Sequence, residues 1–253
     1  MDTEIVLEVK GPCWRTVLNL ASKTGRIQLQ GDATAAIGLR AAAERCQFGV
    51  QERDKQRALE YFAIRSNHYY RRVERGLLKP LRDRERAAVL RFAALSAPGT
   101  MLDVGCGQGF YAMEAKQRGM NVCAIDPIPG MLVALASEVD EVQLGDIETF
   151  RSDREYDRVI CAGVLDFVID PERAFLNLCR LVAPSGRLVL LVPRRGIGGL
   201  LYRFEKLTAG FRINFFDLGW FEQLAVRTRL RVVECSNPLP TNLAILLKRS
   251  PHG

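Results

Sequence analysis

Three aspartates stand at or just before the ends of short apolar runs, each followed by residues that turn a chain tightly. They are Asp103 in Met-Leu-Asp-Val-Gly-Cys-Gly-Gln-Gly, Asp126 in Ala-Ile-Asp-Pro and Asp146 in Leu-Gly-Asp-Ile. An ionised carboxylate only accepts hydrogen bonds, so it suits a pair of hydroxyls or an amino group. Gly105, Gly107 and Gly109 alternate after Asp103, and a glycine turn between strand and helix lets the backbone approach a ligand closely. A dinucleotide fingerprint would need its third glycine at position 110, where this chain has Phe110. The spacing therefore points away from a nicotinamide site. A fourth feature, Cys161-Ala-Gly-Val-Leu165, follows another apolar run. Each feature alone has a plain structural explanation, as a helix cap or a tight turn. Four in order, each at a strand end, lie where open α/β sheets bind ligands.

The elements that position them are legible from residue 100 to 249. Strand-like runs (TMLDVG, NVCAID, EVQLGD, YDRVICAG, GRLVLLVP, RVVECS, NLAILLK) alternate with helical stretches expected at 108–118, 129–138, 171–182 and 217–229. Continuous apolar runs such as Leu188–Val192 suit strands buried on both faces. The fold class expected is α/β: a seven-stranded, doubly wound, mostly parallel sheet. The last two runs are separated only by Asn237, Pro238, Leu239 and Pro240, too little chain for a crossover helix, so they should pair antiparallel. Asp170-Pro171-Glu172 reads as a helix start, and Pro184-Ser185-Gly186 as a turn.

With these motifs in this order, the sequence resembles the class I S-adenosylmethionine-dependent methyltransferases, in their small-molecule branch (methyltransferase types 11 and 12). The likeness covers roughly residues 61–249 and is most specific at 101–193. It implies a Rossmann-like methyltransferase fold with S-adenosylmethionine as cofactor and S-adenosylhomocysteine as product. By resemblance Asp103 meets the cofactor's amino group, and the turn of Gly105, Cys106, Gly107 and Gly109 lies against the ligand. Asp126 takes the ribose hydroxyls, with Pro127 and Met131 near the adenine. Asp146 accepts from the adenine amino group, Ile147 covers the ring, and Cys161 to Leu165 line the channel to the acceptor. One departure is Asp166-Phe167, which stands where many relatives carry a histidine. A closer likeness, to ubiquinone and magnesium-porphyrin methyltransferases, rests on Tyr69-Tyr70 and on Gly-Leu-Leu-Tyr at 199–202.

Outside that core the organisation expected is an N-terminal extension, 1–60, and a methyltransferase domain, 61–253, with a helical lid at 61–95 and a cap insertion at 194–216. His68 is the one histidine placed to act as a base, though a surface or packing histidine on a helix is the favoured reading. Tyr70, with Tyr61 or Tyr69, is placed to close on the cofactor carboxylate or the substrate. Tyr69, Leu165, Arg194, Tyr202 and Arg212 are candidates for the acceptor side, the arginines because they can pair a carboxylate or phosphate.

The net charge of +7 is unevenly spread: +6 over residues 51–100, −6 over 101–192 and +6 over 193–253. Basic flanks invite an anionic partner, while a solvated helix face near residues 71–91 is the plainer account. The expected function is methyl transfer to O, N or C of a small organic acceptor, bulky, anionic or carrier-bound. The alternatives are an RNA methyltransferase, or a non-catalytic scaffold that keeps the cofactor fold. Ala162-Gly163-Val164-Leu165 lacks the Asn/Asp-Pro-Pro-aromatic pattern of base-methylating enzymes, and no DNA partner is expected. A homodimer stays open. Two histidines are too few for a His-based metal site, so no metal is expected. Seven scattered cysteines suit reduced thiols. The opening MDTEIVLEVK has no apolar leader region and no run is long enough to span a bilayer, so a cytoplasmic protein is expected.

Overall fold

The computed structural model describes the backbone of residues 5–8, 17–20, 27–29, 49–75, 79–196, 199, 202 and 206–249. Of these, the side chains of the first three strands and of residues 65–75 are outside the description. Two units separate at residue 48. The first contains an antiparallel meander of β1 (Ile5–Glu8), β2 (Val17–Leu20) and β3 (Ile27–Leu29). Residues 33–46, read as helical from composition, lie outside the described residues.

The second unit begins with two helices, α1 (Glu52–Arg75) and α2 (Lys79–Ala93). A sheet then follows: β4 (Thr100–Val104), α3 (Phe110–Gln117), β5 (Asn121–Asp126), α4 (Pro129–Leu132), β6 (Glu141–Leu144) and β7 (Tyr156–Ala162). It is completed by α5 (Pro171–Arg180), β8 (Val182–Pro193), α6 (Leu218–Ala225), β9 (Leu230–Leu239) and β10 (Asn242–Arg249). The spatial order is β6-β5-β4-β7-β8-β10-β9, parallel from β6 to β8, with β10 antiparallel to both neighbours. The seven-stranded doubly wound sheet read from the sequence is the sheet observed.

Strand alternation sends Leu102 and Val104 into one apolar layer, with Phe175, Phe221 and Ile245, and Met101 into the other, with Val89, Phe92, Ala112 and Ala115. Asp103 shares Met101's side of the strand, so its carboxylate is directed towards α3. Asp170 caps α5 as expected, accepting from Arg173 N–H at 2.9 Å, with Pro171 in the first turn. Three expected helices end early, α6 among them at Ala225. Helix α4 stops at Leu132 and passes into turns, and α5 gives way to β8 at Val182. Pro184-Ser185-Gly186 is not a turn before the fifth strand but a bulge inside β8. The pairing jumps from Tyr156↔Val182 to Arg158↔Arg187, so the chain loops out without leaving the sheet.

Asn214 ties three parts of this unit together. Its amide nitrogen donates to Leu165 O (3.0 Å) and Val168 O (2.8 Å), and its oxygen accepts from Val50 N–H (3.3 Å). Asn214→Ala leaves these buried partners unsatisfied and should lower unfolding free energy by about 1–3 kcal/mol. Chemical denaturation of the two proteins measures the difference.

Candidate cofactor and active site

The carboxyl ends of β4, β5, β6 and β7 open into one cavity of about 280 Å³. Its floor is the glycine turn. Gly105 and Cys106 N–H both donate to Ile125 O, at 2.8 and 3.0 Å, which pins the turn to the neighbouring strand. Gly105 has φ +64°, and a methyl group placed on it would fall 2.2 Å from Val164 Cγ2. Gly107 has φ +52° but faces open space, so there the backbone conformation rather than crowding requires glycine.

The three aspartates converge on this cavity, each already braced by the protein. Asp126 Oδ2 accepts from Gly107 N–H and Oδ1 from Ile128 N–H, both at 2.9 Å. Burial pushes its carboxyl up, and those two amides oppose the shift. Asp103 accepts from Ala112 N–H at 3.1 Å in the first turn of α3. Its carboxyl is pushed up to about 7, mainly by burial; the Ala112 amide resists this and the Asp126 charge adds to it. Asp146 Oδ1 accepts from Glu148 N–H at 3.0 Å, and Lys55 Nζ lies 2.5 Å from Oδ2.

Lys55 comes from α1 and also contacts Glu148. Burial alone would lower its pKa, but hydrogen bonds and charge from Asp146 and Glu148 outweigh that and raise it. Glu148 in turn accepts from Ile169 N–H (3.2 Å) and Asp170 N–H (2.8 Å), the residues that open α5. Residues Lys55, Ala58, Leu59 and Phe62 all line the cavity, and their spacing is that of one helical face. Helix α1 therefore covers Asp146 and holds it through a half-buried ion pair.

Helix α2 supplies the opposite wall. Arg82, Glu85 and Arg86 line the cavity beside Asp103 and Tyr111. Glu85 is buried, 3.2 Å from Arg82 Nη1 and in contact with Asn242 Nδ2. Burial raises its pKa, against the pull of Arg82, Asn242 and Arg86. Arg86 lies 3.9 Å over the Phe110 ring.

Residues 102–190 match the family model described as a methyltransferase domain. Over that stretch the chain is similar to a methyltransferase domain. A ubiquinone biosynthesis O-methyltransferase from Rickettsia akari (strain Hartford) is 33% identical over 127 residues, 47% of this chain and 47% of that protein. The chain thus spans about half the length of the curated relatives it matches. Among solved structures, a magnesium protoporphyrin IX methyltransferase from Synechocystis PCC 6803 with bound SAH aligns at TM-score 0.63 and 19% identity. The alignment covers 78% of this chain and all of that one. The DhpI–SAH complex aligns at TM-score 0.59 and 19% identity, covering 79% and 98%. At that identity the likeness is one of fold.

The fold brings Asp103, Gly105, Cys106, Gly107, Asp126, Pro127, Met131, Asp146 and Ile147 onto the one cavity. Gly109 lies just behind it as the residue before α3, φ +78°, donating to Cys106 O at 2.8 Å. Cys161 and Leu165 are fully buried in the sheet layer, and Ala162, Gly163 and Val164 are the residues of that segment on the wall. Arg194 is exposed, in a backbone bridge with Phe216. Arg212 is turned to Asp54, its N–H donating to Oδ1 at 3.1 Å and its Nε 3.4 Å from Oδ2. Tyr202 packs with Tyr61, Phe167 and Phe211. Residues 68–70 continue α1, but the side chains of His68, Tyr69 and Tyr70 lie outside the described residues. The sequence reading missed Lys55 and the α2 trio. For α1 the signal was there, a 55-58-59-62 face, whereas Arg82-x-x-Glu85-Arg86 reads as a solvated charged stripe.

Among the described residues no group of His, Cys, Asp or Glu is arranged to hold a metal ion, and no helix is long and apolar enough to cross a membrane.

Asp103 carries a signed pH dependence. Folded, it keeps its proton up to about 7, whereas an unfolded aspartate loses it near 3.8. Over that window the folded state binds more protons, so its stability falls as pH rises. Asp103→Asn removes this contribution. The variant's melting temperature minus that of wild type should grow from pH 5 to pH 8 in thermal scans; a pH-independent difference contradicts the assignment.

Proposed function

We propose that this chain binds S-adenosylmethionine in the cavity at the carboxyl edge of the sheet and transfers its methyl group to an oxygen of a small organic acceptor. The observation that carries the reading is the convergence of Asp103, Asp126 and Asp146 on one cavity that also contains the open face of the glycine turn. The donor set fits the cofactor. Each Asp126 oxygen accepts one backbone N–H and keeps lone-pair capacity for a ribose hydroxyl. Asp103 lies at the amino-acid end, where Arg82 and Arg86 are the cations available to a carboxylate. Asp146 and Ile147 lie at the adenine end, under α1. Oxygen as the receiving atom follows the curated relatives, which are O-methyltransferases.

When bound, the cofactor supplies a methyl group already activated on a sulfonium. The protein's own part is positioning and exclusion of water. The glycine turn fixes the amino-acid end, Asp126 the ribose, and Val164 with Phe167 the wall towards the acceptor. Alignment of this sort is worth on the order of 7–11 kcal/mol in reactions of well-oriented groups.

Calorimetric titration with S-adenosylhomocysteine tests the reading. Wild type should bind, and Asp126→Ala should bind about a hundredfold more weakly, from two charge-assisted bonds worth about 1.5 kcal/mol each. A wild type that does not bind overturns the proposal. An acceptor screen with isotopically labelled cofactor, read by mass spectrometry, should place the label on an ether oxygen.

A further inference from the structure

The ion pair that fastens helix α1 stands on the wall of the cavity, not on the outer face of the helix. Lys55 and Asp146 both line the cavity, and Glu148 does not. Lys55 Nζ lies 2.5 Å from Asp146 Oδ2 and also contacts Glu148; the side-chain exposures of the three are 15%, 21% and 10%. The acids are themselves fixed. Asp146 Oδ1 accepts from Glu148 N–H at 3.0 Å, and Glu148 accepts from Ile169 and Asp170 N–H at 3.2 and 2.8 Å. Glu148 therefore anchors the ammonium from behind, while Asp146 meets it at the wall. Gly145 N–H donates to Asp126 O at 3.1 Å, which ties the strand end carrying Asp146 to the strand end carrying Asp126.

The hydrogen-bonding capacity of this pair is not exhausted. An ammonium has three N–H donors, and the contacts with Asp146 and Glu148 take two of them. Each carboxylate oxygen has two lone pairs; Asp146 Oδ1 gives one to Glu148 N–H, and Oδ2 gives one to Lys55. Burial lowers the Lys55 pKa, but the two acids outweigh it and raise it, so the side chain stays a donor through the neutral range. The cavity wall thus presents an acceptor and a donor side by side. Adenine presents the complement, an amino donor flanked by ring nitrogens that accept, whereas a 6-oxopurine has a carbonyl acceptor in place of the amino group.

We infer that Lys55 reads the adenine ring, its third N–H donating to a ring nitrogen beside the amino group that Asp146 accepts. This rests on the cofactor reading above and deepens it, by making helix α1 a part of the purine subsite. The selection is one of polarity. With the ribose held by Asp126, the base has one register against the wall, and a carbonyl at the amino position would set oxygen against the oxygens of Asp146. Lys55 then has two tasks in one group: it fastens the helix through Glu148 and addresses the ligand beside Asp146.

Calorimetric titration of the full chain tests this with S-adenosylhomocysteine and its 1-deaza and 7-deaza analogues. Each analogue replaces one flanking ring nitrogen by C–H and keeps the amino group. Wild type should bind one analogue about ten- to a hundredfold more weakly, the loss of one hydrogen bond to a charged group. In Lys55→Met that penalty should vanish to within about twofold, because the ligand change and the protein change remove the same contact. Lys55→Gln keeps an N–H donor without the charge and should retain only part of the penalty. An ion pair that merely holds the helix gives another pattern: Lys55→Met weakens all three ligands by one factor and leaves their ratios as in wild type. That pattern overturns the inference, as does a wild type that binds all three ligands equally. Should the Met variant not fold, the Gln variant decides, and a penalty equal to that of wild type overturns it. In each of these cases S-adenosylhomocysteine binds and the cofactor reading stands. If wild type does not bind S-adenosylhomocysteine, the cofactor reading itself falls, and the inference with it.

Discussion

The carboxylates at the end of the parallel sheet are the constraint on which the rest of the structure turns. A parallel sheet covered on both faces is dry, and an acid placed at its edge must be given hydrogen bonds or must hold its proton. Each of the four acids here meets that demand differently. Asp126 is satisfied by two backbone amides, Asp146 by an amide and Lys55, and Asp103 by one amide and partial retention of its proton. Asp166 is pushed up to about 7 by burial, against its own amide, Lys206, Arg82 and Tyr202.

The cover over the cavity is fastened chiefly by polar contacts. Helix α1 is held by Lys55 on Asp146 and Glu148, by Asp54 on Arg212, and by Arg57 Nη1 on Gly210 O at 2.9 Å. Only Ala58 of its cavity face is deeply buried in an apolar cluster. Segments fastened this way sit at the low end of local stability and open without global unfolding. That suits a helix under which a cofactor must enter and leave.

The sheet and three of its acids were legible in the sequence because their signals are local. A glycine turn, an acid after an apolar run and a short final connection each report on themselves. What was not legible depends on direction. Cys161 and Leu165 belong to the right segment, yet strand alternation and the tight turn aim them into the core, leaving Gly163 and Val164 at the wall. Arg82, Glu85 and Arg86 look solvent-bound because a charged stripe carries no mark of the cavity it faces. Pro184-Ser185-Gly186 reads as a turn by composition, and only the pairing of β7 with β8 shows that the sheet absorbs it. Asp166 stood out as a departure from a pattern, but its burial could not be read from neighbours in the chain.

The bracing of Asp126 by Gly107 and Ile128 has a consequence for how a ligand arrives. On the proposed reading, the loop that would hold the ribose is folded by its own hydrogen bonds, so association has little disorder to remove there. Its entropy cost then falls on the ligand and on α1 rather than on the glycine turn. On that reading, ligand exchange needs one helix to lift above a seat that keeps its shape.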